Sequence, residues 1–106
     1  MDKLSFEVLQ DYLSLKYKEG GSSTGLFMKL VEEVGEVAEV LNQIEGRKSN
    51  SGSSSLEKEL ADVIHYTVAI ASINNIDISK VILEKDKMAA IKYKQSPNLE
   101  EFLKRQ

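Results

Sequence analysis

Residues 54–75 read SSLEKELADVIHYTVAIASINN, and this stretch decides the fold. Its apolar side chains recur at helical spacing and cover most of the circumference of a helix. Ser54, followed three residues later by Glu57, predicts a capping box at the helix start, and Asn74-Asn75 predicts the end. A helix this apolar is typical of the centre of a bundle, so we expect it to be the central helix of an all-α domain.

Helical signals also lie on both sides of this stretch. We place the other helices at about residues 4–20, 25–44, 77–94 and from 98 onward. The segment at about 46–55 is rich in Ser and Gly and predicts a flexible loop. The chain has no internal repeat and no strand-like alternation. We therefore expect a four-helix bundle-like core with a short C-terminal helix.

Composition limits the classes of protein to consider. A chain of 106 residues with 42% hydrophobic content suits one compact domain over 1–106. A net charge of −3 gives no basic field for nucleic acid, so we expect no nucleic-acid partner. The chain has no cysteine, so it cannot form a disulfide framework. It also has no long apolar run, so we expect no membrane span. We expect a cytoplasmic protein with no membrane partner.

The acids of the central helix do not follow its polar stripe. That stripe holds Lys58, His65 and Ser72, and we expect His65 to be an ordinary exposed residue there. Glu59 and Asp62 project instead among apolar side chains. Burying a carboxylate without a partner costs several kcal/mol, so a compensating cation is required. Arginine, lysine or a metal ion could supply it.

The preceding helix carries a second set of acids. Glu32, Glu33, Glu36 and Glu39 lie opposite an apolar stripe, and Lys29 is the one cation that accompanies them. The apolar stripe, which we expect in the core, consists of Leu26, Leu30, Val34, Val37, Ala38 and Leu41.

Two carboxylate pairs at i, i+3 spacing then form one predicted site. Glu33 with Glu36, and Glu59 with Asp62, each make a two-pronged oxygen clamp, because residues three apart are neighbours on a helix. If the two helices face each other, the clamps form a four-carboxylate site. Hard oxygen donors suit Mg²⁺, with Mn²⁺ as a substitute, and leave positions for water and phosphate oxygens.

At these residues the chain resembles a known family. Glu32-Glu33-Val34-Gly35-Glu36, then 22 residues, then Glu59-Leu60-Ala61-Asp62, is similar to the paired EExxE and ExxD motifs of MazG-like nucleoside triphosphate pyrophosphohydrolases. This family belongs to the all-α NTP pyrophosphatase superfamily, and the resemblance runs from the first helix to about Tyr93. Both motifs on consecutive predicted helices make a more specific match than either alone.

The resemblance implies an activity and roles for the acids. Members use magnesium to cleave a nucleoside triphosphate between its α and β phosphates, which yields the monophosphate and pyrophosphate. By position, Glu33, Glu36, Glu59 and Asp62 correspond to the metal ligands. Glu32 corresponds to a glutamate that holds a further metal or activates the attacking water. The resemblance therefore implies a hydrolase in nucleotide housecleaning or in control of nucleotide pools.

The resemblance also implies a basic, substrate-binding helix. Lys85 and Lys92 lie seven apart on one helical face and correspond best to the family's basic positions. The family pattern has an asparagine on or near the position of Ala89, and an Arg-Tyr-Pro ending where this chain has residues 92–94. Solvated surface lysines are the alternative interpretation.

Aromatic residues could contact the nucleotide or fill the core. Tyr66, one turn after Asp62, fits a pocket wall and core packing equally well. Tyr12, Tyr17 and Phe27 are further candidates for stacking on a base, with core packing as the alternative.

The resemblance leaves the assembly and two other functions to consider. Relatives form dimers or tetramers whose helices shape the nucleotide pocket together, which implies a homodimer or homotetramer here. One alternative is a phosphoribosyl-ATP pyrophosphohydrolase, which shares the acidic helical architecture. The other is a non-catalytic metal-binding module for oligomerisation or regulation.

Overall fold

The chain is all-α, as the sequence predicts. A computed structural model describes residues 2–46 and 55–106, which form five helices and no strand. The helices are α1 (Phe6–Lys16), α2 (Ser23–Ile44), α3 (Leu56–Ile73), α4 (Ile78–Tyr93) and α5 (Leu99–Lys104). Within the described ranges, none of them is both long and apolar enough to cross a bilayer. The predicted flexible loop at about 46–55 falls almost entirely outside the described residues.

The helices group into two compact units. The first is Met1–Ile76, which contains α1 to α3, and the second is Asp77–Gln106, which contains α4 and α5. The prediction of one domain over 1–106 stays a prediction.

In the described part of the chain, a polar side chain caps the start of each helix by accepting a backbone N–H of the first turn. The caps are Ser5, Ser22, Ser55, Asp77 and Asn98. Asn98 forms a capping box, because the side chain of Glu101 also accepts the N–H of Asn98 at 3.0 Å. Helix α3 is capped by Ser55 rather than by the predicted Ser54, which lies outside the described residues. Short polar residues thus satisfy N–H groups that the helices leave unpaired.

Helix α3 is the central element of the first unit. It packs against α2 most extensively and also against α1. The buried core joins Leu13 of α1, Leu26 of α2, and Val68 with Ala69 of α3. The prediction that this helix is central is therefore confirmed for the unit that contains it.

The predicted apolar stripes are only partly buried. Val34 of α2 is 52% exposed, and Leu60 and Ile64 of α3 are 46% and 48% exposed. Val40, outside the predicted stripe of α2, is buried instead. Helical spacing identifies side chains that share a face, but two neighbouring helices cover only part of the apolar circumference of α3.

The predicted polar stripe of α3 contacts α1. Ser72 is 5% exposed, and its hydroxyl donates to the carbonyl oxygen of Gln10 at 2.9 Å. Ser72 therefore belongs to the predicted polar stripe but is buried, and its hydroxyl is tolerated there because it is hydrogen-bonded. This bond fastens the C-terminal half of α3 to α1.

In the second unit, α4 packs against α5. The backbone N–H of Leu99, at the start of α5, donates to the Asp86 carboxylate of α4 at 2.6 Å. Ala90 is the buried residue of α4. A charged acceptor on one helix therefore holds the start of the other.

We predict that Leu13→Ala lowers the free energy of unfolding by about 2–5 kcal/mol, because Leu13 of α1 is completely buried in the core that it forms with residues of α2 and α3. Leu15→Ala removes the same atoms from a residue of the same helix that is 72% exposed, and should cost less than about 1 kcal/mol. Urea denaturation followed by circular dichroism measures both values. Equal losses would contradict the location of the core.

Candidate functional site

Helices α2 and α3 bring three predicted metal ligands together. Carboxylate oxygens of Glu33, Glu59 and Asp62 lie within 4.8 Å of one another. Glu33 comes from α2 and the other two from α3, so the packing of the two helices, rather than one local segment, forms the cluster.

Glu59 contributes an oxygen that is shielded from water. Its Oε2 atom is buried and has no hydrogen-bond partner, although the residue as a whole is partly exposed. A buried acceptor left unpaired costs about 1–3 kcal/mol, and more when it is charged. Asp62 is exposed, so the expectation that both acids of α3 point into the interior is correct for Glu59 alone.

The pKa of Glu33 is raised by its neighbours in the cluster. A hydrogen bond with Glu59 raises its pKa from 4.5 to about 7, with further contributions from desolvation and from the charges of Asp62, Glu59 and Glu36. Such a bond between two carboxyl groups needs a proton on one of them. Near neutral pH this proton partly offsets the repulsion.

These features fit a divalent cation. All donors in the cluster are carboxylate oxygens, the ligands that Mg²⁺ and Mn²⁺ prefer. A cation would give Glu59 Oε2 a partner and would replace the proton that Glu33 retains. The residues present are therefore suitable for the predicted metal.

Two other predicted acids of α2 lie beside the cluster. Glu36 is exposed and lies outside the three-residue group, but its charge contributes to the raised pKa of Glu33. Glu32 is exposed and forms an ion pair with Lys29, whose Nζ lies 3.5 Å from its Oε2. Three of the four predicted metal ligands are thus within one cluster, and Glu36 is its neighbour on α2.

A cleft of about 260 Å³ lies in the same unit. Tyr66 lines it, together with Tyr17, Lys29 and the glycine- and serine-containing turn before α2. Tyr66 also packs against the buried core, so the prediction of core packing is confirmed, and a contact between Tyr66 and a ligand stays a prediction. Phe27 and Tyr12 are more than half exposed and do not line this cleft.

His65 is not the ordinary exposed residue that the sequence suggested. It is partly buried, and its Nε2 lies 2.8 Å from the hydroxyl of Tyr17. Burial lowers its pKa, the charge of Lys16 lowers it further, and Asp62 acts in the opposite direction. The prediction failed because α1 packs over the face of α3 that the sequence presents as polar.

The two predicted phosphate-binding lysines lie on α4, in the second unit. Lys85 and Lys92 are both exposed, and the Nζ of Lys92 lies 5.3 Å from the centre of the Tyr93 ring. Ala89, where the family pattern has asparagine, is partly buried. A role for these lysines in substrate binding stays a prediction.

Comparison with known proteins agrees with these motifs. The MazG nucleotide pyrophosphohydrolase domain matches residues 22–95, well over half of the chain. The chain belongs to this family. The match includes both acidic motifs and extends through α4.

A solved MazG structure is similar as well. The crystal structure of iMazG from Vibrio DAT 722 matches with a TM-score of 0.63 and 28% sequence identity. The match covers 87% of this chain and 100% of the iMazG chain. No curated protein sequence matches significantly. The structural match supports the MazG-like all-α fold.

Lys29 lies beside the acidic cluster, and the sequence analysis gave it no role. Its side chain lines the cleft and pairs with Glu32, within one turn of Glu33. A signal was present, because Lys29 is the only lysine on the acidic helix.

We predict that, without divalent cations, the chain loses stability as pH rises from about 4.5 through about 7. The folded chain holds the Glu33 proton more tightly than the unfolded chain, so this contribution is complete below the unfolded pKa and is lost above the folded one. Glu33→Gln should remove this component. Thermal unfolding in EDTA at about pH 5 and about pH 8 measures it.

Glu84→Gln is the matched control for this measurement, because it neutralises an exposed glutamate of α4. It should keep the pH dependence of the unchanged chain. If Glu33→Gln and Glu84→Gln show the same change in thermal stability between the two pH values, the raised pKa of Glu33 is wrong.

Proposed function

We propose that the chain hydrolyses nucleoside triphosphates to nucleoside monophosphates and pyrophosphate, in nucleotide housecleaning or pool control. The observation that carries this proposal is the cluster of Glu33, Glu59 and Asp62, in which one buried oxygen has no partner. Membership of the MazG nucleotide pyrophosphohydrolase family supports this class of reaction. The resemblance of the two acidic motifs implies cleavage between the α and β phosphates.

Glu33, Glu36, Glu59 and Asp62 would hold Mg²⁺, with Mn²⁺ as a substitute. The bound ion would neutralise phosphate charge and stabilise the pyrophosphate leaving group. The raised pKa of Glu33 supports this assignment, because a site that binds a proton near neutral pH has a strong demand for positive charge. Glu36 completes the set from the next turn of α2.

The remaining residues bind substrate and direct water in this proposal. Glu32 is exposed at the edge of the cluster, where its carboxylate accepts the proton of the attacking water or holds a further metal ion. Water then adds to the α phosphorus as the bond to the bridging oxygen of the β phosphate breaks. Lys85 and Lys92 bind phosphate oxygens through their ammonium groups.

The nucleoside occupies the cleft that Tyr66 lines. Tyr66 lies one turn after Asp62 on α3, and Lys29 lies one turn before Glu33 on α2. Four residues correspond to about 6 Å along a helix, which is a suitable offset between a triphosphate and its nucleoside. The aromatic rings of Tyr66 and Tyr17 provide apolar surface for stacking.

We also propose that the chain acts as a homodimer or homotetramer in the cytoplasm. Large apolar side chains are exposed on α2 and α3, including Val31, Val34, Leu60 and Ile64. Extensive exposed apolar surface is typical of a protein–protein interface. Sedimentation analysis of the purified chain tests this assembly.

We predict that Glu36→Gln, Glu59→Gln and Asp62→Asn each lower Mg²⁺-dependent pyrophosphate release by at least about a hundredfold. Loss of a residue that only supports a metal ligand costs about 10–100-fold, and loss of a ligand should cost at least as much. The assay measures pyrophosphate over canonical and modified nucleoside triphosphates, with and without EDTA. Activity that survives these substitutions would exclude the proposed metal site.

Glu57→Gln is the matched control, because Glu57 is an exposed acid of α3 two residues before Glu59. It should keep activity close to that of the unchanged chain. Turnover of phosphoribosyl-ATP alone would support the alternative enzyme. Inactivity on every nucleotide, combined with Mg²⁺ binding by calorimetry, would support the non-catalytic module.

A further inference from the structure

The cleft in the first unit has two aromatic walls on different helices. Tyr66 lies within α3, where the regular backbone limits its side-chain directions. Tyr17 is the C-cap of α1, at the point where the helix ends and the chain turns. The position of its ring therefore depends on tertiary contacts more than on the helix.

His65 contacts both walls. Its Nε2 is 2.8 Å from the Tyr17 hydroxyl, and the two rings meet edge-on at 5.8 Å between centroids with an interplanar angle of 79°. The His65 and Tyr66 rings also meet edge-on, at 4.9 Å and 71°. This edge-to-face arrangement is favourable for aromatic pairs. One imidazole thus joins the two tyrosines that line the cleft.

Gly21 lies close to the backbone end of Tyr17. A Cβ atom at Gly21 would lie 3.1 Å from the Cβ of Tyr17 and 3.5 Å from Cγ2 of Ile73. The chain can pass this closely because position 21 carries no side chain. Tyr17 is therefore next to Gly21 at its Cβ and is hydrogen-bonded to His65 at its hydroxyl.

The Tyr17–His65 hydrogen bond joins two neutral groups near neutral pH. Burial raises the pKa of Tyr17, and the neighbouring Tyr66 and Tyr12 raise it further, whereas burial lowers the pKa of His65. The tautomer of the imidazole decides which of the two groups donates the hydrogen bond. A part-buried hydrogen bond of this kind selects one orientation of the ring.

We propose that His65 is a positioning residue, which holds Tyr17 in place as a wall of the nucleoside-binding cleft. The inference rests on the proposed function, because it assumes that the cleft receives the nucleoside of the substrate. His65 acts through Tyr17 and Tyr66 rather than on the phosphates. Its loss should therefore weaken binding of the nucleoside and leave the phosphate chemistry almost unaffected.

The test compares His65→Phe, Tyr17→Phe and the double variant. His65→Phe keeps an aromatic ring but removes the hydrogen bond, and should raise KM for the best nucleoside triphosphate by about three- to tenfold with little change in kcat. The double variant should be no worse than the more affected single variant, because both remove the same bond. His65→Gln, which can still accept a hydrogen bond, should recover most of the lost KM.

Inorganic tripolyphosphate is the control probe for a purely structural effect. Tripolyphosphate has no nucleoside. The rate at which it is hydrolysed, or the strength with which it inhibits nucleotide hydrolysis, should therefore be the same for the wild-type chain and for His65→Phe. An equal weakening of tripolyphosphate and nucleotide would overturn the inference, as would additive effects in the double variant.

A second readout does not depend on activity. His65 is the only histidine, so its imidazole signals in proton–nitrogen correlation NMR need no further assignment. Canonical nucleoside monophosphates should shift these signals, inorganic phosphate should not, and Tyr17→Phe should reduce the response. If no monophosphate shifts them, the inference is wrong. If they shift while no triphosphate is hydrolysed, the positioning role is supported and the proposed hydrolysis fails.

Discussion

The packing of α3 against both α1 and α2 is the constraint on which the first unit depends. It buries Val68 and Ala69 with side chains of both neighbours. The same packing places Glu59 beside Glu33 on one side of α3 and His65 beside Tyr17 on another. A displacement of α3 would therefore alter the core, the acidic cluster and the cleft together, because close-packed interiors transmit strain.

Repulsion between the clustered carboxylates opposes the packing of α2 against α3. The approach of α2 and α3 buries apolar surface, but it also brings carboxylates close enough to raise the pKa of Glu33 and leaves Glu59 Oε2 without a partner. Stability and charge repulsion are thus linked at one helix–helix contact. A cation bound between these carboxylates would remove the repulsion without separating the helices.

Helix periodicity and the acidic motifs predicted the helices and the clustered acids well. They predicted less well which side chains are buried and which are exposed. The motifs of α2 and α3 identified Glu33, Glu59 and Asp62, which the fold brings together. Residues such as Leu60 were expected in the core but are exposed, while Ser72 was expected on a polar face but is buried. Periodicity describes one helix at a time, and burial depends on which neighbours cover each face. For the same reason, the sequence could not identify the contact between His65 and Tyr17.

The sequence by itself determined the all-α class, most helix boundaries, the family and the identity of the clustered acids. These properties depend on local capping, helical spacing and motifs, which involve residues near one another in the chain. Only the tertiary structure decided that Glu36 lies beside the cluster, that Asp62 is exposed, and that His65 connects the walls of a cleft. These outcomes depend on the distances between side chains of different helices, which packing sets and spacing along the chain does not.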